Sequence, residues 1–246
     1  MEHIVVVAED IAFPLDEGFK KASAAIANGL ASIGKRVTCF TNRDYDGWRR
    51  LPSNRLLVSR HLASDLKNLD PDAIIYIPRS AATPMSFVRS RLLRSQSGGK
   101  PVVMISLQRR HYPDFLKPML RRLVPELVLA LSSPSAAILK SVGAKVERIP
   151  LGVDLEKFRP VSHETRANLR QKYGLPDTKI LLHVGHLTRR RNLETFLNLA
   201  SPSTHLVLVS STSTRHEVDL LKSSPNLTLI DTYIPSIEEI YQASDI

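Results

Sequence analysis

Six short apolar runs, at residues 4–8, 37–41, 73–77, 102–107, 127–131 and 146–150, alternate with Ala- and Leu-rich segments of helical periodicity. Runs such as Ile4-Val5-Val6-Val7-Ala8 and Ala73-Ile74-Ile75-Tyr76-Ile77 have no polar alternate positions, so strands formed from them have no face to show to water. Strands of this kind, separated by helices, require a parallel sheet covered on both sides. The alternation restarts at 180–184, 206–209 and 227–230, with helices expected near 164–173, 193–200, 215–222 and 237–243. The expected architecture is α/β, with one parallel-sheet domain over residues 1–150 and a second, incomplete one over 151–246. At 246 residues with 43% hydrophobic content, the chain can bury two modest cores of this kind.

The likeliest connection between the two runs from Pro150 to Pro160. Gly152 there permits a positive φ, Asp154 can cap a short helical turn and Phe158 offers an apolar anchor. Between Asn42 and Ser53 the polar stretch Asp44-Tyr45-Asp46-Gly47-Trp48-Arg49-Arg50 reads as a loop. The single cysteine, Cys39, lies in the apolar run Val37-Thr38-Cys39-Phe40 and reads as a buried thiol, suited to a reducing cytoplasm. Residues 4–8 are far too few for a signal-peptide core or a membrane span.

Net charge is +10, and its distribution is uneven: residues 1–150 hold 23 Lys and Arg against 13 Asp and Glu, whereas 151–246 hold 11 of each. Between Arg79 and Arg122 there are ten basic residues and one acid, Asp114. A field of that sign attracts anionic lipid head groups, nucleic acid or phosphorylated substrates, or is a solvated basic face. Residues 86–95 and 112–124 mix Phe, Leu and Val with arginines, a composition suited to docking at the inner face of a membrane and equally to a half-buried helix. The basic stretch lacks regularly interleaved aromatics and any recognised reading motif, which ranks nucleic-acid binding lower. No zinc-ligand spacing, nucleophile elbow or Walker lysine loop occurs, so no metal site is expected.

Ile149-Pro150-Leu151-Gly152-Val153-Asp154, Phe158-Arg159-Pro160 and Val184-Gly185-His186-Leu187-Thr188-Arg189-Arg190-Arg191-Asn192 fall in a specific order. Supporting them are Ser132 after a strand, a helix ending in Gly143, and Tyr241 followed by Ser244-Asp245. In this layout the chain resembles the retaining GT-B glycosyltransferases of family 4, whose linker usually has asparagine where Leu151 stands. The resemblance implies two Rossmann-like domains: an N-terminal acceptor side and a C-terminal side for a nucleotide-diphosphate sugar, with no cofactor beyond that donor substrate. It places Gly185, His186, Arg190, Arg191 and Asn192 at the donor phosphates. His186 stands where the family has arginine, and Arg191 stands where it has lysine. Arg191 is a sound replacement, because a guanidinium binds phosphate oxygens bidentately and stays charged; Arg189 and Arg190 offset the charge lost at His186. Asn192 is expected to cap a helix and aim its free N–H groups at the diphosphate.

On the acceptor side, the turn after the first strand carries Asp16, Gly18 and Lys20 where the family often has two adjacent glycines. A structural account of the same segment has Asp16 as helix N-cap and Phe19, Ala22, Ile26, Leu30 and Ile33 facing the core. Gln108 and His111 follow the strand at 102–107, near where the family places an active-site histidine; the strict position falls at Gln108. The implied activity is retaining transfer of a glycosyl group, of the hexosyl type, to a hydroxyl of a glycan or lipid-linked acceptor. In the family two glutamates separated by seven residues follow shortly beyond the position of Asp245. Glu238-Glu239 precedes Tyr241 and is no substitute, so the chain is expected to be a fragment with little activity alone. The alternative is a non-catalytic GT-B-like nucleotide-binding or partner subunit, which His186 favours.

Overall fold

The computed structural model describes residues 2–51, 60–79, 81–187, 193–210, 221 and 226–246, the side chains of 60, 193 and 194 excepted. The chain divides into two compact units, Met1–Leu151 and Gly152–Ile246.

In the first unit, seven strands form one sheet: β1 (His3–Ala8), β2 (Arg36–Thr41), β3 (Arg49–Arg50), β4 (Ala73–Ile77), β5 (Val102–Ser106), β6 (Leu127–Ala130) and β7 (Val146–Arg148). Their spatial order is β3-β2-β1-β4-β5-β6-β7, and every neighbouring pair is parallel. Helices α1 (Gly18–Ser32), α2 (Arg60–Leu69), α3 (Pro84–Gln96), α4 (Lys117–Arg121) and α5 (Ser133–Ser141) make the crossovers. Strand alternation feeds two cores. Val5, Val7, Ile74, Tyr76, Val102 and Met104 pack on one face with Leu62, Leu66, Phe87, Leu93 and Leu139 from α2, α3 and α5. Val6, Ala8, Ile77 and Ile105 pack on the other with Phe19 and Ala27 of α1. The central strands β1, β4 and β5 are nearly apolar throughout because their odd and even positions serve different helix layers.

Several local expectations are corrected. Arg49 and Arg50 are not loop but a short, exposed edge strand. The core face of α1 is Phe19, Ser23, Ala24 and Ala27 with Ile26 and Leu30 partly buried, while Ile33 lies beyond the helix end and is 68% exposed. In α3, Phe87, Ser90 and Leu93 are buried, so residues 86–95 supply a core-covering helix rather than an apolar outer surface. Cys39 is half-buried rather than fully buried, and that burial pushes its thiol up to about 11, so it stays protonated near neutral pH.

The second unit contains β8 (Lys179–Val184), β9 (Thr204–Val209) and β10 (Leu227–Ile230), parallel and ordered β10-β9-β8. Helices α6 (His163–Lys172) and α8 (Ile237–Ala243) cover one face, where Ile180, Val207 and Val209 meet Ile240 and Ala243. On the other face Leu187, Leu208 and Leu221 pack with Phe196 and Leu197 of α7 (Leu193–Leu197), a helix three residues shorter at its end than the expected 193–200. The expected helix at 215–222 falls outside the described residues, apart from Leu221.

Asp154 caps a turn through Oδ1, which accepts from the N–H groups of Glu156 and Lys157 at 3.2 Å each. Phe158 stacks edge-to-face on Tyr241, with ring centroids 5.5 Å apart. Gly152 does not adopt a positive φ, so its conformational freedom is not what makes the connection. Asp245 ties the C-terminal end to this unit: its carboxylate accepts from Ile180 N–H at 2.8 Å, from Arg170 at 2.8 Å and from Arg166 at 3.0 Å. Partial burial alone would raise its pKa, but the Ile180 N–H and the two guanidiniums outweigh that and hold it below the usual carboxylate range.

Candidate functional site

In an open parallel sheet, ligands collect outside the carboxyl ends of the strands where the strand order reverses. In the first unit that point lies between β1 and β4. Glu9 and Asp10 follow β1 there, and Arg79 follows β4. The Glu9 N–H donates to Ile77 O at 3.1 Å, joining the two strand ends.

Glu9 Oε1 accepts from Arg89 Nη1 of α3 at 2.8 Å and from the Tyr76 hydroxyl. The Glu9 and Arg89 side chains are only 14% and 16% exposed, so this is a nearly desolvated ion pair with a phenol attached. Burial, reinforced by the Glu9 charge, raises the Tyr76 pKa and keeps the phenol protonated as a donor.

Asp10 faces outward and sits at φ 56°, a conformation that L-residues other than Asn and Asp seldom adopt. Its N–H donates to Asn42 Oδ1 at 2.6 Å, and its Oδ1 accepts from Asn42 Nδ2 at 3.1 Å and Arg43 Nε at 3.4 Å. Arg79 lies 3.7 Å from Asp10 and 3.8 Å from Glu17, with its guanidinium 6.0 Å from the centre of the Phe19 ring. Three strand ends and the start of α1 thus present a rim of alternating carboxylates and guanidiniums. Such a rim offers both acceptors and donors to a polyhydroxylated ligand.

Asp16 does not cap α1. The N-cap is Glu17, which makes no side-chain cap hydrogen bond, and Asp16 pairs instead with Lys20 Nζ at 2.7 Å. Lys20 also donates to Pro14 O at 3.1 Å, so its ammonium is committed to closing the loop between β1 and α1. Gly18 opens the helix with open space where a side chain would project. Gln108 lies at the carboxyl end of β5, bridged to Ala81, with an exposed side chain. His111 is exposed three residues further on. The loop carrying both is anchored by Tyr112, whose hydroxyl donates to Ala82 O at 2.5 Å and whose ring meets Phe87 edge-to-face at 5.8 Å. Ser132 is a structural cap, its Oγ accepting from Ser135 N–H at 3.3 Å.

Sequence reading missed Glu9, Asp10, Arg79 and Arg89 as site residues. The usable signal was two consecutive acids directly after the first apolar strand, which the switch-point rule places at the ligand edge.

In the second unit, Gly185 ends β8 at φ 146°, and its N–H donates to Val209 O at 2.9 Å. A Cβ there would make only ordinary contact, 3.9 Å from His183, so the glycine serves conformation rather than space. His186 follows with an exposed position, and Leu187 is buried. Arg189, Arg190, Arg191 and Asn192 lie outside the described residues. Gly185→Ala forces a side chain into a region that is nearly glycine-only and is expected to cost about 1–3 kcal/mol in the unfolding of the second unit, measured by urea denaturation. Among the described residues no group of three or more His, Cys, Asp or Glu is placed to hold a metal ion. No described helix is long and apolar enough to cross a membrane.

No protein-family model matches the chain, and no curated protein matches it in sequence. Solved structures do match in shape. A glycosyltransferase from Rickettsia africae ESF-5 superposes with a TM-score of 0.70 at 15% identity, over 99% of this chain and 71% of that one. The catalytic domain of starch synthase IV from Arabidopsis thaliana, bound to ADP and acarbose, gives 0.61 at 13% identity, over 100% and 77%. An α-glucosyltransferase in complex with UDP and a 13-mer DNA containing an HMU base gives 0.63 at 15% identity, over 99% and 71%. Identities this low speak for architecture alone: the chain has the α/β fold of GT-B glycosyltransferases, with a seven-stranded parallel sheet followed by a second parallel sheet.

Proposed function

We propose that the chain is a glycosyltransferase of the retaining, hexosyl-transferring type that takes its sugar from a nucleotide-diphosphate donor. The observation that carries this reading is Gly185 at φ 146° at the carboxyl end of β8, leading in sequence to three consecutive arginines. A backbone that turns sharply at a strand end and runs into guanidiniums suits a diphosphate, whose charge must be neutralised as it departs. Gly185, His186, Arg190, Arg191 and Asn192 form the donor-phosphate side.

The first unit takes the acceptor at the carboxyl edge of its sheet. In this reading Gln108 and His111 after β5 and the loop of Asp16, Gly18 and Lys20 after β1 join the Asp10–Arg79–Glu17 rim, which suits the hydroxyl groups of a glycan or lipid-linked acceptor. Two solved neighbours hold UDP or ADP together with DNA or acarbose, which supports a donor-plus-acceptor arrangement without choosing the acceptor. The working place that fits this reading is the cytoplasmic side of a membrane.

Calorimetric titration with UDP, ADP, GDP and inorganic phosphate tests the reading. Saturable binding of one nucleoside diphosphate, at least about tenfold tighter than phosphate, is expected from the added contacts to base and ribose. Equal affinity for phosphate and all three nucleotides would overturn it.

A further inference from the structure

The loop between β2 and β3 has two halves with different neighbours. Asn42 and Arg43 at its start reach Asp10 at the rim. Residues 45–48 instead wall a hollow of about 250 Å³ together with α1 and β2. Neither Asp10, Glu17 nor Arg79 lines that hollow. Its floor is made of short side chains: Ala24, Ala27 and Ala31, spaced by three and four residues, share one face of α1 beside Val37 and Cys39 of β2. The Cys39 thiol is protonated and adds no charge.

The opposite wall is aromatic. Tyr45 and Trp48 are half-buried against the core that contains Phe19, and they meet edge-to-face with centroids 6.1 Å apart and ring planes at 70°. The backbone N–H of Trp48 donates to Tyr45 O at 3.1 Å, and Gly47 at φ 73° permits the tight turn that sets the two rings as a corner. Asp46 lines the same hollow. Asp44 is paired with Arg50 at 3.1 Å, but Asp46 has no counter-charge among the described residues, even though the chain carries a net charge of +10.

An aromatic corner, a floor of methyl groups and one unpaired carboxylate are complementary to a methylated ammonium ion, whose charge is spread over methyl groups that need no hydrogen-bond acceptors. A primary ammonium has three donors to satisfy, which a floor of alanine and valine cannot do. An anion would be repelled by Asp46, and a neutral ligand would leave that carboxylate unpaired. We infer that the hollow between α1, β2 and residues 45–48 binds a small, freely diffusing methylated ammonium ion, held between the rings of Tyr45 and Trp48 and the carboxylate of Asp46. The site shares no residue with the proposed nucleotide or acceptor sites, so its failure and theirs are separate results.

Trp48 is the only tryptophan in the chain, so tryptophan fluorescence reports on this hollow. Titration of the full chain with choline chloride at constant ionic strength is expected to give a saturable change with a Kd of about 1 mM or below. The uncharged tert-butyl analogue of choline has nearly the same shape and is expected to bind at least about tenfold more weakly, because it lacks the cation that the rings attract. Asp46→Asn keeps the tryptophan and is expected to weaken choline binding about threefold, as loss of a partly exposed charge pair implies. Ala31→Leu fills the hollow from an exposed position and is expected to abolish saturation. Both variants should melt within about 2 °C of the parent, which separates lost binding from lost folding. Vesicles of phosphatidylcholine carry the same head group on a lipid and are expected to leave the fluorescence unchanged. Absence of a saturable response to choline overturns the inference without any variant. So does equal affinity for the tert-butyl analogue, undiminished binding by either variant, or a response to the vesicles without one to free choline.

Discussion

Arg89→Ala is expected to lower the melting temperature of the seven-stranded unit by about 6–12 °C, the largest stability loss of any single change considered for this chain. The reason is what the truncation leaves behind. Glu9 and Arg89 are nearly desolvated, and Glu9 Oε1 already accepts from Tyr76. Without the guanidinium, a carboxylate remains beneath the end of β1 with no counter-charge, and breaking a pair of this kind costs about 3–5 kcal/mol. The residual exposure of Glu9 lets water soften the loss, which favours about 3 kcal/mol. The companion change Glu9→Gln removes the charge that Arg89 was neutralising, so the double variant is expected to recover about half the loss, a coupling of the size found between contacting residues. Scanning calorimetry of the two single variants and the double variant checks this. Additive losses would mean that the pair contributes only separate packing.

The second large effect concerns the proposed donor side. Replacing Arg190 and Arg191 together by Ala is expected to weaken nucleoside-diphosphate binding by about 100-fold, as two charge-assisted hydrogen bonds of roughly 1.5 kcal/mol each would imply. Lysine at position 191 should restore much of the charge but not the planar fork, leaving an intermediate affinity. The melting temperature serves as control, since substitutions on a polar, arginine-rich stretch move stability little. An unchanged nucleotide affinity in the double Ala variant would remove the arginine run from the donor site.

How much of this was visible beforehand follows from how each feature is encoded. Strands β1, β4 and β5 were legible because burial on both faces writes itself into consecutive residues. β3 was not, because Arg49 and Arg50 are exposed and owe their extended state to pairing with Phe40 and Thr41 rather than to their own preference. Gly185 was legible as a glycine closing an apolar strand. The Glu9–Arg89 pair was not, since its members are separated by 80 residues and meet only through the crossover. Asp16 misled for a local reason. An aspartate just before a helix reads as its cap, but Lys20, one turn further on, takes the carboxylate first. At residues 86–95 and 112–124 composition alone could not separate packing from surface, because Phe87 and Phe115 look alike in sequence and differ by 79 percentage points in exposure.

Gly143 stands at φ 85° under the stem of Arg121. An uncharged residue some twenty positions away in sequence therefore sets where a guanidinium can rest. Any larger side chain at 143 would be strained in its own backbone and would also displace Arg121 from its seat. In related chains, a change at this glycine would be expected to travel with changes in α4. Such a linkage would be invisible to a comparison that scores charged positions only.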